Sequence, residues 1–427
     1  MTNSSQDNKD NKDNKEKKKT KAGEHLSKIM KEFYIGQHMD AQAGKFCVWA
    51  AIIVPLEILR GFDIIVGIPE NYSAMTASKG LGGTQCERSH QLGFSPDLCS
   101  YARIDIGNNL YPPKDAQMPP LPKPNLIITD NNNCSLLAKW FDVYHREYNI
   151  PHFILDVPFC YNPQDYDGNN YILSQYKDLI RMIENMTGQK HDMDKTREAM
   201  NNTNEALKHW KRFMNVALHK PAGITAFDSF VQMATFVTLR GTAQLVEQYK
   251  LLADETEERV AENIFPVPGE KYRLLWDNIA PWHQLRKMSS RLKQLDANIV
   301  YATYTSCVGT VEGGVDLYEY DGVDPLKHLA RTQNFSVCPY GLELRYEVLE
   351  KLVERCGIDG VVFANNKSCK VYSLMQLDLQ KRLVDKLKIP SIMIDVDHAD
   401  VTRYSEEGVF IRIEALLEQI DRYKNVC

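Results

Sequence analysis

With 427 residues, 43% of them hydrophobic and 25% charged, the chain is too long for one small core, and its composition is that of a globular protein of two or three domains. A net charge of −5 argues against nucleic acid as the main partner, and no apolar run approaches the roughly 18 residues that span a bilayer. The longest, Val48 to Leu59, is interrupted by Pro55 and carries Glu57.

The N-terminus holds three tandem Asp-Asn-Lys units and then Glu16-Lys-Lys-Lys-Thr-Lys21. It has no apolar stretch, so it is no secretory leader and has no face to bury. Residues 1–24 read as a disordered charged tail, and the protein as cytoplasmic. Beyond the tail, short apolar runs alternate with helical stretches. Phe62-Asp-Ile-Ile-Val-Gly67, Asn125-Leu-Ile-Ile-Thr129 and His152-Phe-Ile-Leu-Asp-Val157 predict strands in a first block, residues 25–165, with a helix from Leu136 to Tyr148. From Tyr171 to Glu262 no strand run occurs. Spacing there is helical, as in Ala243-Gln-Leu-Val-Glu-Gln-Tyr-Lys-Leu-Leu, and predicts an α-helical domain over 166–262. A third block, 263–427, has strand runs at Asn298–Ala302, Gly360–Phe363 and Ser391–Asp395, with a helix from Tyr372 to Leu387. The runs are continuously apolar rather than alternating, as in parallel strands covered on both faces. The expected fold class is α/β: two flavodoxin-like parallel-sheet domains with an inserted α-helical domain. No internal repeat is visible beyond the tail triplets.

Ten cysteines, at 47, 86, 99, 134, 160, 307, 338, 356, 369 and 427, stand in a large cysteine-dilute chain without a leader. Reduced thiols or metal ligands fit that setting better than disulfides. No Cys-x-x-Cys pair is present, so a zinc ribbon, a thioredoxin motif and a ferredoxin-type run are all disfavoured. Cys134 follows the strand run Asn125–Thr129, and Cys369 follows Gly360–Ala364, the position where open parallel sheets present their chemistry. Together with Cys99 they could form a soft-metal site between the two α/β blocks, or they could be ordinary core thiols. Gly80-Leu-Gly-Gly83 lacks the Gly-Lys-Ser/Thr ending of a phosphate loop, so the chain is not expected to hydrolyse ATP itself.

Several motifs occur in one order along the chain: Cys86-Glu-Arg-Ser-His-Gln-Leu-Gly-Phe-Ser-Pro-Asp-Leu-Cys99-Ser-Tyr-Ala-Arg103, Asp130-Asn-Asn-Asn-Cys134 with Lys139-Trp140, Asn149-Ile-Pro151 with Asp156-Val-Pro158, Gly269-Glu-Lys-Tyr-Arg273 with Pro281-Trp282, and Asn366-Lys-Ser-Cys369-Lys370. By these motifs the chain, from about residue 45 to 420, resembles the 2-hydroxyacyl-CoA dehydratase family, which includes the subunits of ATP-dependent benzoyl-CoA reductase. The resemblance implies that Cys99, Cys134 and Cys369 ligate one [4Fe–4S] cluster between the domains. It implies an acyl-CoA substrate, a homologous second subunit in a heterodimer, and a separate ATP-dependent iron–sulfur activator that delivers one electron. The implied reaction is elimination of water from an (R)-2-hydroxyacyl-CoA through a ketyl radical, giving a 2-enoyl-CoA.

Three departures from the dehydratase pattern are visible: Ala364 and Lys367 stand where a His and an Arg are usual, and Asp395-Val-Asp-His-Ala-Asp-Val-Thr-Arg403 stands where Gly-Asp-Gln-Ala-Asp-Pro-Arg is usual. The Lys-Ser-Cys sequence and the acidic-x-Asp opening of the later motif resemble the B-type chain of benzoyl-CoA reductase, while Cys86-Glu and Asn-Asn-x-Cys look more like dehydratase. Reduction of an aryl-CoA is therefore the alternative activity. A third is a double-cubane [8Fe–9S] reductase of small molecules, with Cys86, Cys307 and Cys338 as the additional ligands. A fourth is an electron-relay subunit whose partner owns the substrate pocket. Glu57 matches a carboxylate near the start of the first domain in the family and is a candidate acid/base. Arg103 is a candidate for facing the cluster or a CoA phosphate, or for a buried ion pair. Lys370 is a candidate for tuning the cluster by its charge, and His398, between Asp397 and Asp400, for orienting a loop.

Overall fold

Apolar runs bounded by polar residues become strands where helices cover both faces of a sheet. In the computed structural model, which describes residues 20–159, 169–306, 308, 310–311, 316–317, 319–333 and 341–426, two such four-stranded sheets form. The first comprises β1 (Cys47–Ala50), β2 (Ile65–Gly67), β3 (Leu126–Asp130) and β4 (His152–Leu155), all parallel, in the order β2-β1-β3-β4. The second comprises β5 (Tyr272–Asp277), β6 (Ala297–Ala302), β9 (Gly360–Asn366) and β10 (Ser391–Val396), also parallel, in the order β10-β9-β5-β6. Between β6 and β9 in the chain a two-residue antiparallel pair joins β7 (Thr310–Val311) to β8 (Asp316–Leu317).

Numbered within its own sheet, each set reads 2-1-3-4, the opening of the flavodoxin-type order, in which winding reverses between the first and third strands. The fold is thus α/β with two flavodoxin-like sheets. Topologically it contains a repeat that residue identities do not display. The six predicted strand runs all fall on strands. Two strands of the parallel sheets were not predicted, β1 and β5, and each is the first strand of its sheet. β1 was hidden in the broken apolar run beginning at Val48. β5 was hidden by Arg273, a charge in the middle of a wholly buried strand.

The region between the sheets in sequence is helical, as its spacing predicted. α6 (Asn169–Thr187), α7 (Met193–Asn215), α8 (Ala226–Leu239) and α9 (Ala243–Ala261) follow the helices α1 (Lys21–Gln42), α2 (Pro69–Ser78), α3 (Gly82–Gln91), α4 (Ser100–Asp105) and α5 (Ser135–Tyr148) of the N-terminal part. α7 buries Ala199, Met200, Thr203, Ala206, Leu207, Trp210, Phe213 and Met214, a three-four repeat that packs along α9. Asp192 caps its N-terminus by accepting from the amides of Asp194 and Lys195. Lys21 to Gly23, assigned to the tail by composition, instead form the first turn of α1, whose opening amides reach Glu255 of α9. The Tyr372–Leu387 stretch divides into α10 (Lys370–Ser373) and α11 (Gln376–Leu387), and α12 (Glu406–Val426) covers the second sheet. No helix among the described residues is long and apolar enough to cross a membrane.

Arg273 is tolerated in β5 because every part of its head is paired. Nε donates to the carbonyl of Cys356 at 3.0 Å, Nη1 to His219 at 2.9 Å and Nη2 to Ala217 at 2.7 Å, and the buried Glu270 supplies the counter-charge. The guanidinium thereby ties the second sheet to the end of α7. Replacing it with an isosteric apolar chain would leave Glu270 without its ion-pair partner and three carbonyls unanswered. Arg273→Met is expected to lower unfolding stability by about 3–5 kcal/mol, measured by denaturant titration followed by tryptophan fluorescence.

Candidate functional site

The C-terminal ends of the two sheets face a common cavity. Cys134 lies four residues past β3, and Cys369 three residues past β9, so each follows the third strand of its sheet, at the switch point of the winding. Cys99 comes from the long connection between β2 and β3. All three are helix N-cap residues: Cys99 for α4, Cys134 for α5 and Cys369 for α10. All three line one cavity of about 70 Å³, room for several water-sized atoms, together with Tyr101, Trp140, Tyr304, Tyr372 and His398.

The loops that carry the thiols are held by side-chain amides, which explains their asparagine content. After β3, Asp130 accepts from the Asn133 amide at 2.9 Å, Asn131 accepts from the Val157 amide at 2.8 Å, and Asn132 donates to the Pro158 carbonyl at 2.8 Å. After β9, Asn366 donates to the Ile279 carbonyl at 2.9 Å, while Asn278 donates to the Ala364 carbonyl at 2.8 Å. Asn278 adopts φ +100°, strained for any residue but glycine, and the reciprocal clasp holds it there.

The electrostatics of the thiols are unusual. Burial pushes all three up, Cys369 to about 12, and the neighbouring sulfurs raise Cys99 further. Against this, the amides of Tyr101 and Ala102, of Leu136 and Leu137, and of Val371 and Tyr372 favour the thiolate form of the cysteine that each helix starts from, although none closes a full capping hydrogen bond. The arrangement suits sulfur anions that share a positive group, and no such charge comes from the protein walls of the cavity. Among the described residues no three His, Cys, Asp or Glu side chains are disposed to hold a single metal ion. Three separate soft ligands around a larger void fit a polynuclear group better.

A polar chain joins the two halves beside Cys99. Ser368 donates to Asp397 at 2.7 Å and lies 3.3 Å from the Ser100 hydroxyl; His398 Nε2 lies 3.0 Å from that hydroxyl and 3.6 Å from Cys99 Sγ. Burial pushes the His398 imidazole below its usual range, against the pull of Asp397 and Asp400. For Asp397 burial acts against the carboxylate, but His398, the Asp400 amide and the two serine hydroxyls outweigh it and hold the group below the usual range. His398, expected only to orient a loop, is thus part of the cavity wall.

The remaining sequence candidates lie elsewhere. Arg103 is buried and makes a 2.8 Å ion pair with Asp400, tying α4 to the loop after β10; it lines neither this cavity nor the larger one beside it. Glu57 is buried 3.2 Å from Arg240 and accepts from Thr203 at 2.7 Å, and it too lines neither cavity. Cys86 is buried on α3 with its thiol 3.9 Å from the Ser100 carbonyl, outside the cavity wall. Cys307 and Cys338 lie outside the described residues. Lys370 is exposed and donates to the Lys367 carbonyl at 2.8 Å.

One residue of the wall was not singled out in the sequence. Glu70, in the first turn of α2 just past β2, is buried, accepts from the Ile52 amide at 2.6 Å, and lines both the thiol cavity and a neighbouring one of about 740 Å³. Burial, opposed by the Ile52 amide and reinforced by Asp130 and Asp105, pushes its carboxyl up to about 8. Its position directly after a strand, Gly67-Ile-Pro-Glu70, was the available signal.

The chain matches the family model described as the 2-hydroxyglutaryl-CoA dehydratase D-component over residues 51–420. It is 31% identical to the (R)-phenyllactyl-CoA dehydratase alpha subunit of Clostridium sporogenes across 93% of this chain and 95% of that protein. Identity is 26% to the alpha subunit of (R)-2-hydroxyglutaryl-CoA dehydratase from Acidaminococcus fermentans, across 93% of this chain and 96% of that protein. It is 27% to the B subunit of benzoyl-CoA reductase from Thauera aromatica, across 86% and 87%. With a family match over most of its length and relatives aligned nearly end to end, this chain belongs to the 2-hydroxyglutaryl-CoA dehydratase D-component family, which the motifs around Cys99, Cys134 and Cys369 had suggested.

Proposed function

We propose that this chain is the catalytic-cluster subunit of a 2-hydroxyacyl-CoA dehydratase-type enzyme, a hydro-lyase, with Cys99, Cys134 and Cys369 holding a [4Fe–4S] cluster. The observation that carries the reading is the convergence of three helix-capping thiols on one cavity at the switch points of two sheets. When bound, such a cluster supplies a low-potential electron and, having only three protein thiolates, an iron position open for Lewis-acid chemistry.

The chain's own residues would do the rest. The substrate enters through the 740 Å³ cavity, which meets the thiol cavity at Ile52, Glu70, Tyr101 and Tyr304. The electron, delivered by an ATP-dependent activator, is lent to the thioester and returned. Hydroxide leaves C2 and a proton leaves C3, so the balance is loss of water. Glu70, protonated at neutral pH, would give its proton to the departing hydroxide, the general-acid role that a buried carboxyl can fill, and its carboxylate would take up the proton that leaves C3. The buried Tyr101, Trp140, Tyr304 and Tyr372 rings and Ile279 keep water from the radical. By the same reading the chain works beside a homologous subunit, as the alpha and B designations of its relatives suggest.

Net reduction of an aryl-CoA is the second reading, favoured by Lys367-Ser368-Cys369-Lys370 and by the benzoyl-CoA reductase relative. The names of the dehydratase relatives span aromatic and dicarboxylic acyl groups, so similarity leaves the acyl group open.

Anaerobically purified protein is expected to hold about four irons and about four sulfides per chain. The count should collapse in Cys369→Ala and be retained in Cys86→Ala. A count near eight would instead favour the double-cubane reading, and no iron after reconstitution would overturn the cluster assignment. In the reduced complex with its partner subunit and activator, turnover should consume far less than one electron per product; stoichiometric consumption would establish the reductase reading. Glu70→Gln should keep its iron and lose about 100- to 10,000-fold in kcat.

The raised carboxyl of Glu70 also makes a stability prediction. An unfolded glutamic acid titrates near 4.5 and the folded one near 8, so between those values the native state keeps a proton that the unfolded chain has released. Stability therefore falls as pH rises from about 4.5 to about 8 and levels off above. Cluster-free Glu70→Gln should gain on the parent protein across that window, by at most about 1.4 kcal/mol per pH unit. Thermal melts of both proteins from pH 5 to 9 measure it; parallel curves would show that Glu70 does not titrate as described.

A further inference from the structure

The walls of the larger cavity carry a second message, about the acyl group. If the small cavity is taken by the cluster, as proposed above, the acyl part of the substrate has only the inner end of the 740 Å³ cavity to occupy. There Phe230 and Tyr304 stack with centroids 6.1 Å apart, Phe230 meets Trp282 edge to face at 5.9 Å, and Trp282 Nε1 donates to the Tyr101 hydroxyl. Met233 and Ile52 extend the same surface. All six side chains line the cavity, and all but Ile52 and Trp282 are buried by the surrounding protein.

Among the described residues the only basic side chains lining this cavity are Lys31, Lys79 and His38. Lys31 and Lys79 are exposed and His38 is half-buried, so these groups belong to the solvent end. Lys79 reaches inward only as far as the Met118 sulfur, 3.1 Å away. At the inner end the one ionisable carboxyl is Glu70, an acid, and the apolar surroundings keep it protonated. A second carboxylate on the substrate would be desolvated there without a counter-ion, which is expensive. A ring or branched chain would instead gain the contact area of three aromatic residues.

We propose that the site takes an uncharged, bulky acyl group, aromatic or branched aliphatic, and rejects a dicarboxylic one. The assignment rests on the dehydratase-type reading for the placement of the thioester, but its test does not need turnover. The complex with its partner subunit, purified anaerobically with its cluster, is titrated calorimetrically with 3-phenylpropanoyl-CoA, 4-methylpentanoyl-CoA, propanoyl-CoA and glutaryl-CoA. None of these has a 2-hydroxyl group to eliminate. The first two are expected to bind at least roughly tenfold more tightly than glutaryl-CoA. Glutaryl-CoA binding as tightly or more tightly would overturn the proposal.

Phe230→Ala locates the effect. It should lose roughly tenfold more affinity for 3-phenylpropanoyl-CoA than for propanoyl-CoA, and Phe230→Leu, the milder change, should lose selectivity in the same direction. Equal losses for both thioesters in both variants would mean that the ring does not touch the acyl group, and the assignment would fall. If the analogues bind in the expected order while the matching 2-hydroxyacyl-CoA is not dehydrated, the acyl assignment stands and the dehydratase reading falls. Dehydration with the reversed order of affinity would do the opposite.

Discussion

Three sulfur anions cannot share an apolar cavity without a counter-charge, and that constraint organises this protein. Each thiol is pushed up by burial and by its neighbours, while each sits at the start of a helix whose amides favour the anion. The amides offset only part of the desolvation. A bound cationic group would complete the balance. The proposed cluster would supply that charge when it binds the three sulfurs as thiolates.

The same constraint accounts for the pairing of the two sheets. A cavity fed by the switch points of two separate sheets is only as defined as the contact between them. Here a continuous apolar core is supplemented by buried polar groups: Arg103 with Asp400, and Ser100 with Ser368, Asp397 and His398. At Gly82 the approach is close enough that a Cβ would lie 2.3 Å from the Ala399 carbonyl oxygen, so α3 can meet the loop after β10 only with glycine there. Apolar contacts alone would let the sheets slide. A directional network fixes their register, and with it the spacing of Cys99 and Cys134 relative to Cys369.

Much of this was legible in the sequence where one physical property dominated. Gly360-Val-Val-Phe-Ala364 can be little else than a strand covered on both faces, and a cysteine five residues beyond it points to the sheet's C-terminal edge. Where two properties conflict, the sequence misleads. Arg273 disguises β5 because the three carbonyls that satisfy it come from residues 217, 219 and 356, remote in the chain. The carboxylates show the same limit. Glu57 and Glu70 both follow strands of the first sheet, and nothing local distinguishes them. The partners do: Arg240 and Thr203, brought by α8 and α7, engage Glu57, whereas Glu70 has one backbone amide and an open cavity before it.

That distinction also bears on how the departures from the dehydratase pattern should be weighed. Ala364 is buried within β9 and lines neither cavity, and its carbonyl is taken by Asn278. Lys367 is exposed, with its amide bonded to the Val396 carbonyl. Neither residue touches the space in which a thioester would react, whereas the third departure, Asp395–Arg403, brings His398 into the wall of the thiol cavity. A change at Lys367 would act on the surface charge beside the exposed Lys370 and Leu374. On the proposed reading, the chemistry performed on an acyl group would be set instead by Glu70 and the aromatic wall from Tyr101 to Tyr304. In the proposed elimination a poised acid would meet the departing hydroxide. Dearomatisation needs protons delivered to a ring, with no hydroxide to receive one.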